Sequence, residues 1–211
     1  MDAALVVLDG WGLAPPDQSG RDAVGAASTP NFDALREAGA FGTMTAHGRR
    51  VGLPEGQMGN SEVGHMHLGA GRVVKQPFTR INDAIAADEL GEIDAVADAF
   101  DHAADTGGRV HFVGLVSDGG VHSDQSHLHA LIELAADRGV DAVTHAFTDG
   151  RDTPPKSGVD YLEELQRVIG THETGHVATV TGRYYAMDRD HNWERTRRAY
   201  DAIVNRKARY E

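Results

Sequence analysis

The chain has 211 residues, with 32 acidic against 20 basic side chains for a formal net charge of −12, 40% hydrophobic residues and no cysteine. This composition excludes a disordered chain, and the missing cysteines exclude disulfides, thiolate chemistry and zinc ribbons. No apolar run approaches the roughly 20 residues of a membrane span, Met1-Asp2-Ala3-Ala4 lacks the basic region of a secretory leader, and the negative charge would repel a phosphate backbone.

A cytoplasmic protein without a membrane or nucleic-acid partner is therefore expected, with one domain or parts of two at about 150 residues per domain. Only Lys75, Lys156 and Lys207 are lysines, so arginine carries nearly all the positive charge. An Asp-rich, Lys-poor surface suits a salt-adapted cytoplasm, where ions screen self-repulsion. An ordinary acidic protein from a GC-rich genome is the other reading.

In chain order, Ala3 to Leu8 reads as a buried strand that delivers Asp9 at its carboxyl end, ahead of Gly10-Trp11-Gly12. A carboxylate there is a common metal ligand, though Asp at a strand end also forms turns and caps helices. The next distinctive stretch runs from Val51 through Gly52-Leu53-Pro54-Glu55-Gly56-Gln57-Met58-Gly59-Asn60-Ser61-Glu62-Val63-Gly64 to His65. Asn60-Ser61 is placed to open a helix whose first amides stabilise an anion. Ser61 could then act as a nucleophile toward phosphorus if a metal or base takes its proton, or serve only as a cap. There is no Gly-x-Ser-x-Gly elbow and no Gly-Lys-Ser phosphate loop, so neither an esterase nor a nucleotide site is supported. The pairs His65/His67 and His127/His129 read as surface or packing histidines, because helical positions two apart diverge.

The texture changes near Lys75-Gln76-Pro77, from glycine-rich to a regular strand, loop and helix rhythm. Val110 to Val116 is a strand, Ser117 to Ser123 a loop, and Leu128, Leu131, Ile132 and Ala135 mark one helix face that Gly139 ends. The unit repeats as strand Val140 to Phe147, loop Thr148 to Pro155 and a helix with Val159, Leu162, Leu165 and Ile169 on one face. It repeats again as strand His176 to Thr181, loop Gly182 to His191 and helix Trp193 to Val204, with Trp193, Arg197, Tyr200 and Val204 along one side. This rhythm predicts an α/β layer of parallel strands that binds ligands beyond the strands' carboxyl ends. The three loops hold Asp118, His122 and Ser123; Asp149, Arg151 and Asp152; and Arg183, Tyr184, Tyr185, Asp188 and Arg189. Arginines gathered with a histidine bind phosphate or carboxylate through forked donors; taken singly, each could equally be a loop salt bridge.

Five stretches, Leu8–Gly12, Gly52–His65, Ser117–Ser123, Asp149–Pro155 and Gly182–Asp190, resemble in order the signatures of the cofactor-independent phosphoglycerate mutases. The resemblance implies an α/β fold: an alkaline-phosphatase-like metal domain, begun by residues 1–75, with an inserted phosphotransferase domain, of which 76–211 is an incomplete part. It implies a phosphoserine intermediate on Ser61 during interconversion of 2- and 3-phosphoglycerate in glycolysis and gluconeogenesis. Asp9 and Ser61 would be ligands of one of two manganese ions, with magnesium or cobalt as possible substitutes, and no bisphosphoglycerate or nucleotide would be needed. His122, Arg151, Asp152, Arg183 and Arg189 correspond to substrate-binding residues. Members of that family are more than twice this length, so an inactive fragment with an exposed apolar surface, monomeric in solution, is expected. A phosphohydrolase or phosphopentomutase-like enzyme of the same superfamily is the nearest alternative, and a non-catalytic phosphometabolite-binding module the next.

Overall fold

The computed structural model describes residues 3–14 and 20–208, so Met1, Asp2 and Glu211 of the terminal readings lie outside the described residues. The chain divides into two compact units, 1–79 and 80–211.

In the first unit, helix α1 (Ala23–Ala26) is capped by Asp22, whose carboxylate accepts from the Gly25 amide at 2.7 Å. Helix α2 (Pro30–Ala38) begins with proline, whose missing N–H and fixed φ suit the first turn. Helix α3 (Ser61–Ala70) follows the glycine-rich loop. The buried side chains here include Leu53 and Val63. The expected N-terminal strand is not formed: Ala3 to Leu8 carries no ladder and Leu5 is 77% exposed. A strand exists only against a partner that takes up its N–H and C=O groups. The described residues of this unit offer none, only the isolated bridge between His47 and Met58.

Helix α4 (Pro77–Ala86) carries the boundary between the units. The second unit continues with α5 (Asp94–Thr106), β1 (Arg109–Leu115), α6 (Gln125–Asp137), β2 (Asp141–Thr148), α7 (Gly158–His172), β3 (His176–Gly182), α8 (Arg183–Ala186) and α9 (Trp193–Val204). The strands form a parallel sheet in the order β1-β2-β3, so the expected α/β layer is present. Register runs from Arg109 opposite Asp141, an ion pair at 2.9 Å, to Leu115 opposite Phe147. Phe100 and Ala103 of α5 pack with Ala135 of α6 and Ala142 of β2; beside them, Ile132 of α6 and Leu165 of α7 close on Val116 and Ala146. Helices α5, α6 and α7 thus cover one sheet face.

The opposite face presents the alternate residues of each strand. There His111 Nδ1 lies 3.0 Å from His145 Nε2, the two rings stacked, and His145 Nδ1 lies 2.9 Å from Thr179 Oγ1. Val113 on this face is 56% exposed. Two helix faces differ from the periodicity reading. Val159 is exposed while Leu162, Leu165 and Ile169 pack inward, and on α9 the buried residue is Ala199 while Trp193 (69%), Tyr200 and Val204 face solvent.

Candidate functional site

Candidate side chains gather in two clusters, one in each unit. In the first, the loop before α3 is tied by its own backbone: Gly48 donates to Gln57 O at 2.8 Å, and Leu53 to Gly48 O at 3.1 Å. Gly59 has no room for a side chain, since a Cβ there would sit 2.0 Å from Ala46 O. Asn60 caps α3 by accepting from the Val63 amide at 3.0 Å, which makes Ser61 the first helical residue. Its hydroxyl therefore sits at the positive end of the helix dipole, where unpaired amides favour an anion. Trp11 rests against Phe32 of α2 with ring centroids 5.3 Å apart, anchoring the segment that carries Asp9. Across 52 positions of sequence, Ser61 Oγ donates to Asp9 Oδ2 at 2.7 Å, and both residues are exposed.

A carboxylate and a hydroxyl are hard oxygen donors, the chemistry that manganese or magnesium takes. Asp9 and Ser61 fit such an ion as part of its coordination. Among the described residues, no group of three or more His, Cys, Asp or Glu could hold a metal.

The second cluster lies beyond the carboxyl ends of the three strands. Asp149, directly after β2, has a side chain 1% exposed. Its Oδ1 accepts from the Arg151 amide at 3.1 Å, the Asp152 amide at 3.0 Å and Arg183 Nη1 at 2.8 Å, and its Oδ2 accepts from Ser117 Oγ at 2.8 Å. Burial pushes this carboxyl upward, but the hydrogen bonds from Asp152, Arg183, Ser117 and Arg151 more than offset it and hold it at about 2. Arg183, 11% exposed, reaches Asp152 Oδ2 as well, at 2.6 Å through the same Nη1. Burial opposes its charge, yet the two carboxylates raise its pKa. Gly119 lets the loop after β1 close on the loop after β2: a Cβ there would meet Asp149 Oδ2 at 3.1 Å and Asp152 O at 3.2 Å.

Of the predicted substrate residues, the structure joins Asp152 and Arg183 directly and ties Arg151 to the same point through its amide. Arg183 thus makes the loop salt bridges that were the plainer reading. Among the described residues, its Nε and Nη2 edge makes no hydrogen bond, which leaves a forked donor for an oxyanion. His122 is exposed on the loop after β1 with φ +72°, a left-handed conformation unusual outside glycine. In the same loop Asp118 accepts from the Tyr161 hydroxyl of α7, a bond that raises the Tyr161 pKa. Arg189 is exposed in the loop after α8, beside the nearly buried Asp188. Asp188 accepts from Asn192 Nδ2 at 2.9 Å, the Asn192 amide at 2.8 Å, the Asp190 amide at 3.2 Å and Arg195 Nη1 at 3.1 Å, which lower its pKa.

Sequence reasoning placed Ser117, Asp149 and Asp188 in the strand-end stretches but gave them no role. An Asp or Ser where a strand or a short helix ends also describes any turn former.

The fold and these clusters define an α/β protein whose candidate anion-binding side chains gather at the carboxyl ends of parallel strands. Residues 81–211 match the family described as BPG-independent PGAM N-terminus (iPGM_N). The full chain is 67% identical over 211 residues to a 2,3-bisphosphoglycerate-independent phosphoglycerate mutase of Natronomonas pharaonis, covering 41% of that protein. A protein of the same name from Thermomicrobium roseum is 55% identical over 201 residues, which are 95% of this chain and 38% of that protein. Among solved structures, Leishmania mexicana phosphoglycerate mutase at low cobalt concentration superposes with a TM-score of 0.69 and 38% identity, over 96% of this chain and 38% of that one. The chain belongs to the 2,3-bisphosphoglycerate-independent phosphoglycerate mutase family and spans about two fifths of the length of its curated relatives.

Proposed function

We propose that, within a protein of its relatives' length, this chain interconverts 2- and 3-phosphoglycerate through a phosphoserine on Ser61. The observation that carries the reading is the Ser61 hydroxyl at the N-terminus of α3, hydrogen-bonded to Asp9 at 2.7 Å. Asp9 engages the hydroxyl hydrogen, so Ser61 offers its oxygen lone pairs to phosphorus, and the first amides of α3 favour the anion being transferred. In the first half-reaction a bond forms between Ser61 Oγ and phosphorus as the bond from phosphorus to one glycerate oxygen breaks, and the Ser61 proton ends on that freed oxygen. In the second, the neighbouring glycerate hydroxyl attacks the phosphoserine, Oγ leaves, and the proton of the attacking hydroxyl ends on Oγ.

Asp9 and Ser61 would hold one of two manganese ions, with magnesium or cobalt as possible substitutes; a bound divalent cation lowers the pKa of the hydroxyl and neutralises phosphoryl charge. His122, Arg151, Asp152, Arg183 and Arg189 would bind the substrate, the arginines through its phosphate or carboxylate oxygens. Small phosphoglycerates as partners, a place in glycolysis and gluconeogenesis, a monomeric state and a cytoplasmic setting belong to the same reading.

The test is mutase turnover with manganese and no added 2,3-bisphosphoglycerate, run on these 211 residues and on a polypeptide of the relatives' length. Turnover is expected in the longer protein only, with a trapped phosphoprotein that Ser61→Ala abolishes. Release of free phosphate without isomerisation would move the assignment to a phosphohydrolase.

A further inference from the structure

Asp149 has no part in that reading, yet one buried side chain touches all three strand-end loops. Ser117 follows β1, Arg151 and Asp152 follow β2, and Arg183 follows β3; beyond the strand ends no ladder joins these segments, and the Asp149 carboxylate does. With four donors on its two oxygens and a side chain 1% exposed, it has neither the spare acceptor capacity nor the access to bind a ligand itself.

Asp149 and Asp152 share a single nitrogen of Arg183, so the pair aims the guanidinium without consuming its Nε and Nη2 edge. An unpinned arginine would have to be ordered by each ligand it met, at a cost in affinity. We propose that Asp149 is the positioning residue of this strand-end cluster, holding Arg183, Asp152 and Arg151 in one register for an anionic substrate. The inference rests on the reading of those three residues as substrate-binding.

Asp149→Asn separates shape from charge. Its amide oxygen can still accept from the Arg151 and Asp152 amides, but its charge on Arg183 is gone. The experiment follows the Arg183 Nη1–H signals by NMR in the 211-residue chain while 3-phosphoglycerate is added. In the variant, exchange of the Nη1 protons with water should accelerate at least tenfold and 3-phosphoglycerate affinity should fall at least tenfold, with the amide exchange of Val143 and Ala146 in β2 unchanged. A purely structural role would move the β2 amides together with Arg183.

Unchanged Arg183 exchange and unchanged affinity would overturn the inference and leave the functional reading intact. If the unaltered chain binds no 3-phosphoglycerate, the affinity arm moves to a protein of the relatives' length, and in this chain Arg183 exchange alone decides the positioning role: accelerated in Asp149→Asn supports it, unchanged refutes it. If Asp149→Asn does not fold, Gly119→Ala presses a methyl group onto Asp149 Oδ2 from 3.1 Å without altering any donor or charge. It should also accelerate Arg183 exchange, and wild-type exchange there would overturn the inference.

Discussion

Asp149 also makes the stability of the second unit depend on acid in a calculable way. Its carboxyl lies at about 2 in the folded chain against an ordinary 3.8. The folded state therefore holds this proton less tightly than the unfolded state, and the stabilisation is fully present above about pH 4 and lost as pH falls toward 2. At 1.36 kcal/mol per pKa unit, the shift is worth on the order of 2 kcal/mol. Because the side chain is 1% exposed, solvent screening takes little from that figure. The assay is urea denaturation, followed by circular dichroism, of the chain and of Asp149→Asn at steps from pH 6 to pH 2. The asparagine variant cannot titrate at this position, so the wild-type advantage should shrink by about 2 kcal/mol across that window. An advantage that stays constant from pH 5 to pH 2 would refute the assignment of the charge to this hydrogen-bonded hub.

Gly59→Ala would put a Cβ 2.0 Å from Ala46 O, so the backbone two residues before Ser61 must shift by at least 1.0 Å to reach even the 3.0 Å that real contacts keep. Phosphorylation of Ser61 in a protein of the relatives' length should slow about 100-fold, as a 1 Å misplacement does, and a wild-type phosphorylation rate would show that the loop yields elsewhere. His127, His129 and His145 all have pKa values lowered by burial. Their unfolded forms bind protons more readily, so stability should fall as pH drops below about 6.5, and His145→Gln should flatten part of that fall in the same denaturation series. With a net charge of −12, the melting temperature should rise with potassium chloride as self-repulsion is screened, and no rise up to molar salt would count against salt adaptation.

What the sequence revealed was local. The strands at Arg109–Leu115, Asp141–Thr148 and His176–Gly182, and the helices between them, were legible because apolar periodicity and glycine stops act within a few residues. The segment Ala3–Leu8 has the composition of a strand, but composition cannot provide the neighbour that a ladder needs. The outward stripe on α9 has the same spacing as a core face, and only tertiary packing decides that Ala199 goes inward. In the site, a helix opening at Asn60-Ser61 was legible, but its cap is Asn60 rather than Ser61, and the Ser61 to Asp9 hydrogen bond closes a gap of 52 residues that no spacing rule covers. Asp149 stood in view among the loop residues, but its weight comes from four donors converging from three loops, which is a property of the fold.

The outward stripe of Trp193, Tyr200 and Val204 and the exposed Val113 on the edge strand β1 also set the colloidal behaviour of this polypeptide. Apolar patches of this kind draw copies together, while a charge of −12 holds them apart. The sequence isoelectric point is about 5.4, so acidification removes the repulsion while leaving the attraction in place. Concentrated solutions brought toward that pH at low salt should scatter light while circular dichroism still reports native helix content, and the turbidity should clear when the pH is raised again.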